Sequence, residues 1–220
     1  MAKRKSTKKN RRPKKEEYTP VYLTQYEITD EPIEERAYRQ LPKSVKGRLE
    51  KLHHDAQFHP MSAIEKLLKL RKKYPQVPQI YNYLAVAYSR TGEIEKLEEI
   101  TKENIRKNPN YLFAKINYAE FCLQREEYEK IPEIFDQKFD LQMLYPNRKK
   151  FHVTEFANFM GVIGIYFLRT GQRELAERYN KTLQEIASEY PAAERLDFEL
   201  KAGNVMQTLR RLVEKQRKSM

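Results

Sequence analysis

Tyr88-Ser89-Arg90-Thr91-Gly92-Glu93 recurs further along the chain as Phe167-Leu168-Arg169-Thr170-Gly171-Gln172. The first copy closes a helix that opens at Pro78. Tyr81, Leu84, Ala85 and Tyr88 are spaced three to four apart and so share one helical face. Gly92 is free to adopt the left-handed conformation that ends the helix and reverses the chain. Leu97 and Thr101 then lie on a second helix, which Pro109 stops because proline cannot continue it.

The same frame, about 34 residues long, extends in both directions. Upstream, a helix opening at Pro60 carries the stripe Ala63, Leu67 and Leu70 and stops at Pro75. Downstream, Tyr118-Ala119, Cys122, Ile131 and Phe135 take the corresponding places. After an insertion, Ile163-Gly164, Phe167, Gly171, Ala176, Leu183 and Pro191 repeat it. A degenerate pair falls across Gly203-Asn204, with Leu196 and Leu200 before the turn and Leu209, Leu212 and Val213 after it. Each unit is a helical hairpin that cannot bury its apolar face alone, so neighbours must stack.

The aromatic, small-residue, tyrosine, alanine and proline positions together resemble the tetratricopeptide repeat, over roughly residues 44 to 200. The units at Pro78 and Ala157 match best; Trp is absent from the chain. Gly164 and Ala176 fall on the family's small positions, and Ala85 and Ala119 replace its other glycine. The resemblance implies an all-α fold, an α-solenoid of about four to five hairpins with negligible strand. It also implies a protein–protein interaction scaffold whose first helices line a concave groove for a peptide or partner helix. Groove positions then fall at Gln79, Asn82, Ser89 and Arg90, at Phe113, Ile116, Glu120 and Gln124, and at Asn158 and Arg169. Chaperone-tail receptors of this family grip a carboxylate with a Lys and Asn pair on one helix. Asn82 and Val86 stand at those places here, with Arg48 the one cation near the equivalent position, so that activity is not supported.

Composition fits an extended helical protein: 34% of residues are charged, 40% hydrophobic, and only 6 are glycine. One cysteine excludes an internal disulfide framework. The N-terminus is charged from Lys3 onward, unlike a secretory signal. The longest apolar run, Phe156 to Leu168, is short of the roughly 20 residues a bilayer span needs. A soluble, cytoplasmic protein is expected; in a eukaryotic host the basic N-terminal residues could also serve as a nuclear import signal.

Charge divides the chain into three parts. Residues 1–15 carry Lys3, Arg4, Lys5, Lys8, Lys9, Arg11, Arg12, Lys14 and Lys15 and no acid, which predicts a disordered arm. Two readings of the arm compete: a polyanion contact with RNA, ribosomes or DNA, or a solubilising tail. With no aromatic interleaved, base stacking from the arm is not expected. Residues 16–42 hold seven acids against Arg36 and Arg39, along with Tyr18, Val21, Tyr22 and Ile28; with Lys43 they form the segment 16–43. They read as an acidic linker or N-terminal cap, covering the first hairpin or lying in the groove. The body, 44–217, is basic, and Arg148-Lys149-Lys150 extends the candidate polyanion surface.

Nothing in the sequence points to catalysis or a cofactor. His53, His54, His59 and His152 stand at no metal-site spacing, so no metal is expected. Cys122 shares the apolar face of Tyr118 and Ala119 and reads as a small core residue. No glycine-rich phosphate loop is present. The third unit is about 11 residues longer than the frame. Pro132 falls inside its second helix, which is expected to start late and run to about Leu144. The matched Arg90 and Arg169 have two readings: a gripping surface, or caps on their own helix ends, where the dipole favours cations.

Overall fold

The structure is a computed structural model that describes residues 26–203. In chain order the elements are strand β1 (Glu27–Thr29), the one-turn helix α1 (Arg36–Arg39), α2 (Lys43–Phe58) and α3 (Pro60–Lys73). There follow α4 (Pro78–Thr91), α5 (Ile94–Lys107), α6 (Leu112–Gln124), α7 (Lys130–Ile134) and α8 (Leu141–Leu144). Strand β2 (Lys150–His152), α9 (Val153–Arg169) and α10 (Arg173–Ala187) come next. A last helix, α11, runs from 191 through 203. The basic arm, residues 16–25 and the Leu209, Leu212 and Val213 stripe lie outside the described residues. Gly203 is still helical.

The protein is an all-α solenoid of stacked hairpins, α2–α3, α4–α5, α6–α7 and α9–α10, with α11 packed against the end. The repeated turns are the same object. Gly92 has φ +72 and Gly171 φ +80. Glu93 N–H donates to the Tyr88 carbonyl at 3.0 Å, and Gln172 N–H to that of Phe167 at 2.8 Å. These bonds satisfy helix-end carbonyls and turn the chain back. One repeat length after Gly92 stands Glu126, which makes the same turn at φ +59 with Glu127 N–H on the Cys122 carbonyl. A side chain there bears a strain that glycine avoids.

The apolar stripes are buried as the spacing requires. Leu49, Leu67, Ile80, Leu84, Leu112, Cys122, Ile163 and Leu183 are all wholly buried. Gly164 marks a close crossing between α9 and α11: a Cβ there would lie 2.4 Å from Leu196 Cδ2. Gly161, one helical turn earlier, faces Ala192: a Cβ added at Gly161 would lie 3.0 Å from that of Ala192.

The third unit departs from the expected course. The helix predicted to reach Leu144 ends at Ile134, with Pro132 in its short first turn. Asp136 and Gln137 then turn left-handed at φ +52 and +60, and Gln137 N–H closes onto the Pro132 carbonyl at 2.8 Å. A separate turn, α8, restarts under Asp140, whose carboxylate accepts the Met143 N–H at 3.0 Å.

The expectation of negligible strand needs one correction. β1 pairs in parallel with β2, placing Glu27 opposite Lys150, Ile28 opposite Phe151 and Thr29 opposite His152. The strand end of the acidic segment thus ties to the insertion of the third unit, while Glu34 further along pairs with Lys46 on the first hairpin at 3.1 Å. The segment forms a strap along one edge of the stack. It passes the α5–α6 and α3–α4 loops beside Tyr111 and Pro78 and enters α2 behind buried Leu41. Every first helix begins on this edge, so the strap lines the starts of α4, α6 and α9.

Two measurements follow from this packing. Gly164→Leu overpacks the crossing and should destabilise by about 1–3 kcal/mol; adding Leu196→Ala should recover part of the loss, read as coupling in a thermal-melt double-mutant cycle. Glu126→Gly should raise the melting temperature, because relief of a left-handed side chain, about 1–2 kcal/mol, exceeds glycine's unfolded-state cost, about 0.5–1 kcal/mol. A lower melting temperature would show that the side chain is not under strain.

Candidate functional site

The groove forms where α4, α5 and α6 meet. Ser89 and Arg90 stand at the exposed end of α4, Glu120 and Gln124 on α6, and together they line a cavity of about 320 Å³. Its floor comes from Ala85, Val86, Leu97 and Phe121, with Thr101 and Asn117 on the walls. Phe121 is buried because α6 is held between α4–α5 and α9. Four of the ten groove positions read from the sequence therefore gather in one concavity, while six lie elsewhere.

Ile116 is the clearest correction. It is 2% exposed and belongs to the core, because α6 packs against neighbours on both sides and has little free face. Asn82 is structural as well. Its Nδ2 donates to the Tyr111 hydroxyl at 3.1 Å, and its Oδ1 accepts from Asn104 and Asn117, each at 3.0 Å. Asn104, 2% exposed, in turn accepts from Asn108 at 2.9 Å. These four amides cross-link α4, α5 and α6. Gln79 is half-buried, and Phe113 lies against Tyr111 with ring centroids 5.8 Å apart. Asn158 donates to the Thr154 carbonyl of its own helix at 2.7 Å.

The matched arginines also separate. Helix-end carbonyls are taken by threonines: the Thr91 hydroxyl reaches Ala87 and Tyr88, and that of Thr170 reaches Tyr166 and Phe167. The hydrogen bonds at these helix ends run through the threonines and the turn N–H groups. Arg169 pairs instead with Glu199 on α11 at 2.8 Å. Arg90 stays exposed at the rim of the cavity. Glu120 is already engaged, since Arg195 donates to both of its carboxylate oxygens at 2.8 Å. With Glu120 neutralised, Arg90 gives the groove a positive rim over an apolar floor. Arg195, 75 positions away, had no local signal in the sequence.

The insertion cations are placed differently from the sequence reading. Arg148 grips Glu155 through both terminal nitrogens, one at 3.0 Å, and its Nε donates to the Lys150 carbonyl at 2.9 Å. Its guanidinium also stacks 4.3 Å from the Phe151 ring centroid. Glu155 is 4% exposed and accepts the His152 N–H, completing a capping box at the start of α9. Lys150 pairs with Glu27 at 3.0 Å and Glu31 at 3.5 Å. Arg148 and Lys150 therefore hold the strap and are not free for phosphate; Lys149 alone of the three is exposed.

Burial sets the titration of the interior. It pushes the Cys122 thiol up to about 11, with Glu127 adding to the effect, so the thiolate that nucleophilic chemistry requires is scarce. Burial raises the Tyr83 hydroxyl to about 12, helped by Tyr38 and Glu50, and lifts Tyr111 as well. Both phenols stay protonated. Among the described residues, no three His, Cys, Asp or Glu side chains gather to hold a metal. No helix among them is long and apolar enough to cross a membrane.

No family model matches the chain. Over 121 residues, 54% of its length, it is 31% identical to the TPR repeat-containing protein YvcD of Bacillus subtilis (strain 168). The matched stretch covers 24% of that protein, so the chain spans about a quarter of the relative's length. The relative's name and the stacked hairpins agree with the tetratricopeptide resemblance.

The amide network and the groove rim should respond oppositely to truncation. Asn82→Ala strands donors on Asn104 and Asn117 and should cost about 1–3 kcal/mol in chemical denaturation. Arg90→Ala and Gln124→Ala should leave the midpoint within about 0.5 kcal/mol of the parent, as exposed positions do.

Proposed function

We propose that this chain is a degenerate tetratricopeptide scaffold that binds an extended acidic peptide, or the acidic face of a partner helix, in the α4–α6 groove. The observation that carries the reading is the pairing of an unengaged Arg90 rim with an apolar Val86 and Phe121 floor. A peptide laid there buries apolar side chains on the floor while Arg90 meets a carboxylate, and Gln124 is exposed to bond its backbone. The rim residues Ser89, Arg90 and Gln124 are exposed, which leaves them available for recognition. The role proposed is non-catalytic: the relative is named as a TPR repeat-containing protein, and the thiol of the described residues is buried. The setting proposed is cytoplasmic. Net charge +12 supports a nucleoprotein context for the assembly.

The test is selection of binders from a displayed peptide library against the purified full chain. Selected peptides should be acidic and should lose at least about tenfold in affinity, or 1.4 kcal/mol, with Arg90→Glu. Binding should be unchanged by Lys66→Gln on the exposed face of α3. Peptides that hold their affinity for the Arg90→Glu variant would place recognition outside this groove.

A further inference from the structure

With Arg148 and Lys150 engaged by acids, part of the free positive charge of the described body lies along the strap edge. There a cleft of about 320 Å³ opens between α1 and the α3–α4 and α5–α6 loops. Arg36 and Gln40 line it from α1, Gln76 from one loop, and Lys107 and Asn110 from the other. All five are exposed. Among the described residues, neither Arg36 nor Lys107 has an ion-pair partner. Glu35 is the acid in the lining and is half-buried. Burial raises its carboxyl, Glu155 adds to the rise, and Arg148 and Arg39 oppose it.

The cleft continues into a basic rim. α3 ends in Arg71-Lys72-Lys73 and α5 in Arg106-Lys107. Arg71 is paired with Glu103 at 3.0 Å, whereas Lys72, Lys73 and Arg106 are exposed. Complementing helix dipoles accounts for cations in those last turns. It does not account for Arg36 on a one-turn helix, nor for three exposed amides converging on the same cleft. Cations set at the ends of successive hairpins suit a ligand bearing one charge per unit of its length. The cleft has no exposed aromatic platform, so bases are not read there by stacking.

We propose that this cleft and rim bind the phosphodiester backbone of nucleic acid without sequence preference. Arg36 and Lys107 contact phosphates, and the Gln40, Gln76 and Asn110 amides donate to phosphate or sugar oxygens. The surface is separate from the α4–α6 groove, so the two can be occupied together.

The experiment measures binding of a labelled oligouridylate to the full chain by fluorescence anisotropy across 50 to 200 mM salt. The double change Arg36→Gln plus Lys107→Gln should weaken binding several-fold and flatten the salt slope by about 1.4, two contacts at about 0.7 each. The charge-matched pair Lys66→Gln plus Lys181→Gln should lose clearly less, and Arg36→Lys plus Lys107→Arg should retain binding. Thermal melts confirm that all three are folded. Equal loss from the two neutralising pairs would overturn the proposal, since binding would then follow net charge alone. So would polyglutamate binding that drops more than oligouridylate binding in the cleft variant, which would assign the site to acidic protein.

Discussion

The apolar surface of α6 has no cover of its own, and the rest of the structure is arranged around that need. Leu112, Ala114, Ile116, Ala119, Phe121, Cys122 and Leu123 are all buried, more than one side of a helix presents to a single partner. The helix is stable only between α4–α5 on one side and α9 on the other. Burial at about 25 cal/mol per Å² rewards the stack as a whole, because no hairpin closes its core alone. The groove is the strip of α4 and α6 left over once this packing is satisfied. Its floor and rim are therefore fixed by residues that hold the solenoid together.

Within that arrangement, polar side chains act as spacers and clamps. The Asn82, Asn104, Asn108 and Asn117 network sets α4, α5 and α6 at one separation, since a shift leaves buried amide groups unpaired. At the other end, the Arg148–Glu155 pair fixes the insertion to the start of α9. Removing one partner of such a pair leaves a charge stranded in a dry site. Glu155 also caps α9, so the helix start and the strap attachment share one carboxylate.

Much of the fold was legible because its signals are local. The Gly92 and Gly171 turns, the Pro78 start and the Ala63–Leu67–Leu70 stripe each declare themselves within one helical turn or one turn motif. The site was legible in part: Ser89, Arg90, Glu120 and Gln124 converge as the repeat frame implies. Ile116 was misplaced because helical periodicity gives one face, while α6 uses two. Asn82 resembles an ordinary surface amide until the helices bearing Asn104 and Asn117 are brought beside it. The β1–β2 pairing left no trace, since strands of 3 residues carry no readable period. Likewise, the Arg148-Lys149-Lys150 run shows its charge but not the acids that absorb it.

The parallel register of Ile28 against Phe151 has a consequence for the order of assembly. Each hairpin joins segments close in sequence, whereas this pair closes a loop containing three of the four hairpins. Loop-closure entropy disfavours such a contact until the intervening units have formed and brought its ends together. The hairpins accordingly assemble from neighbour to neighbour, and the strap docks late, as a seal on a finished array. Its release would free the edge without dismantling any repeat.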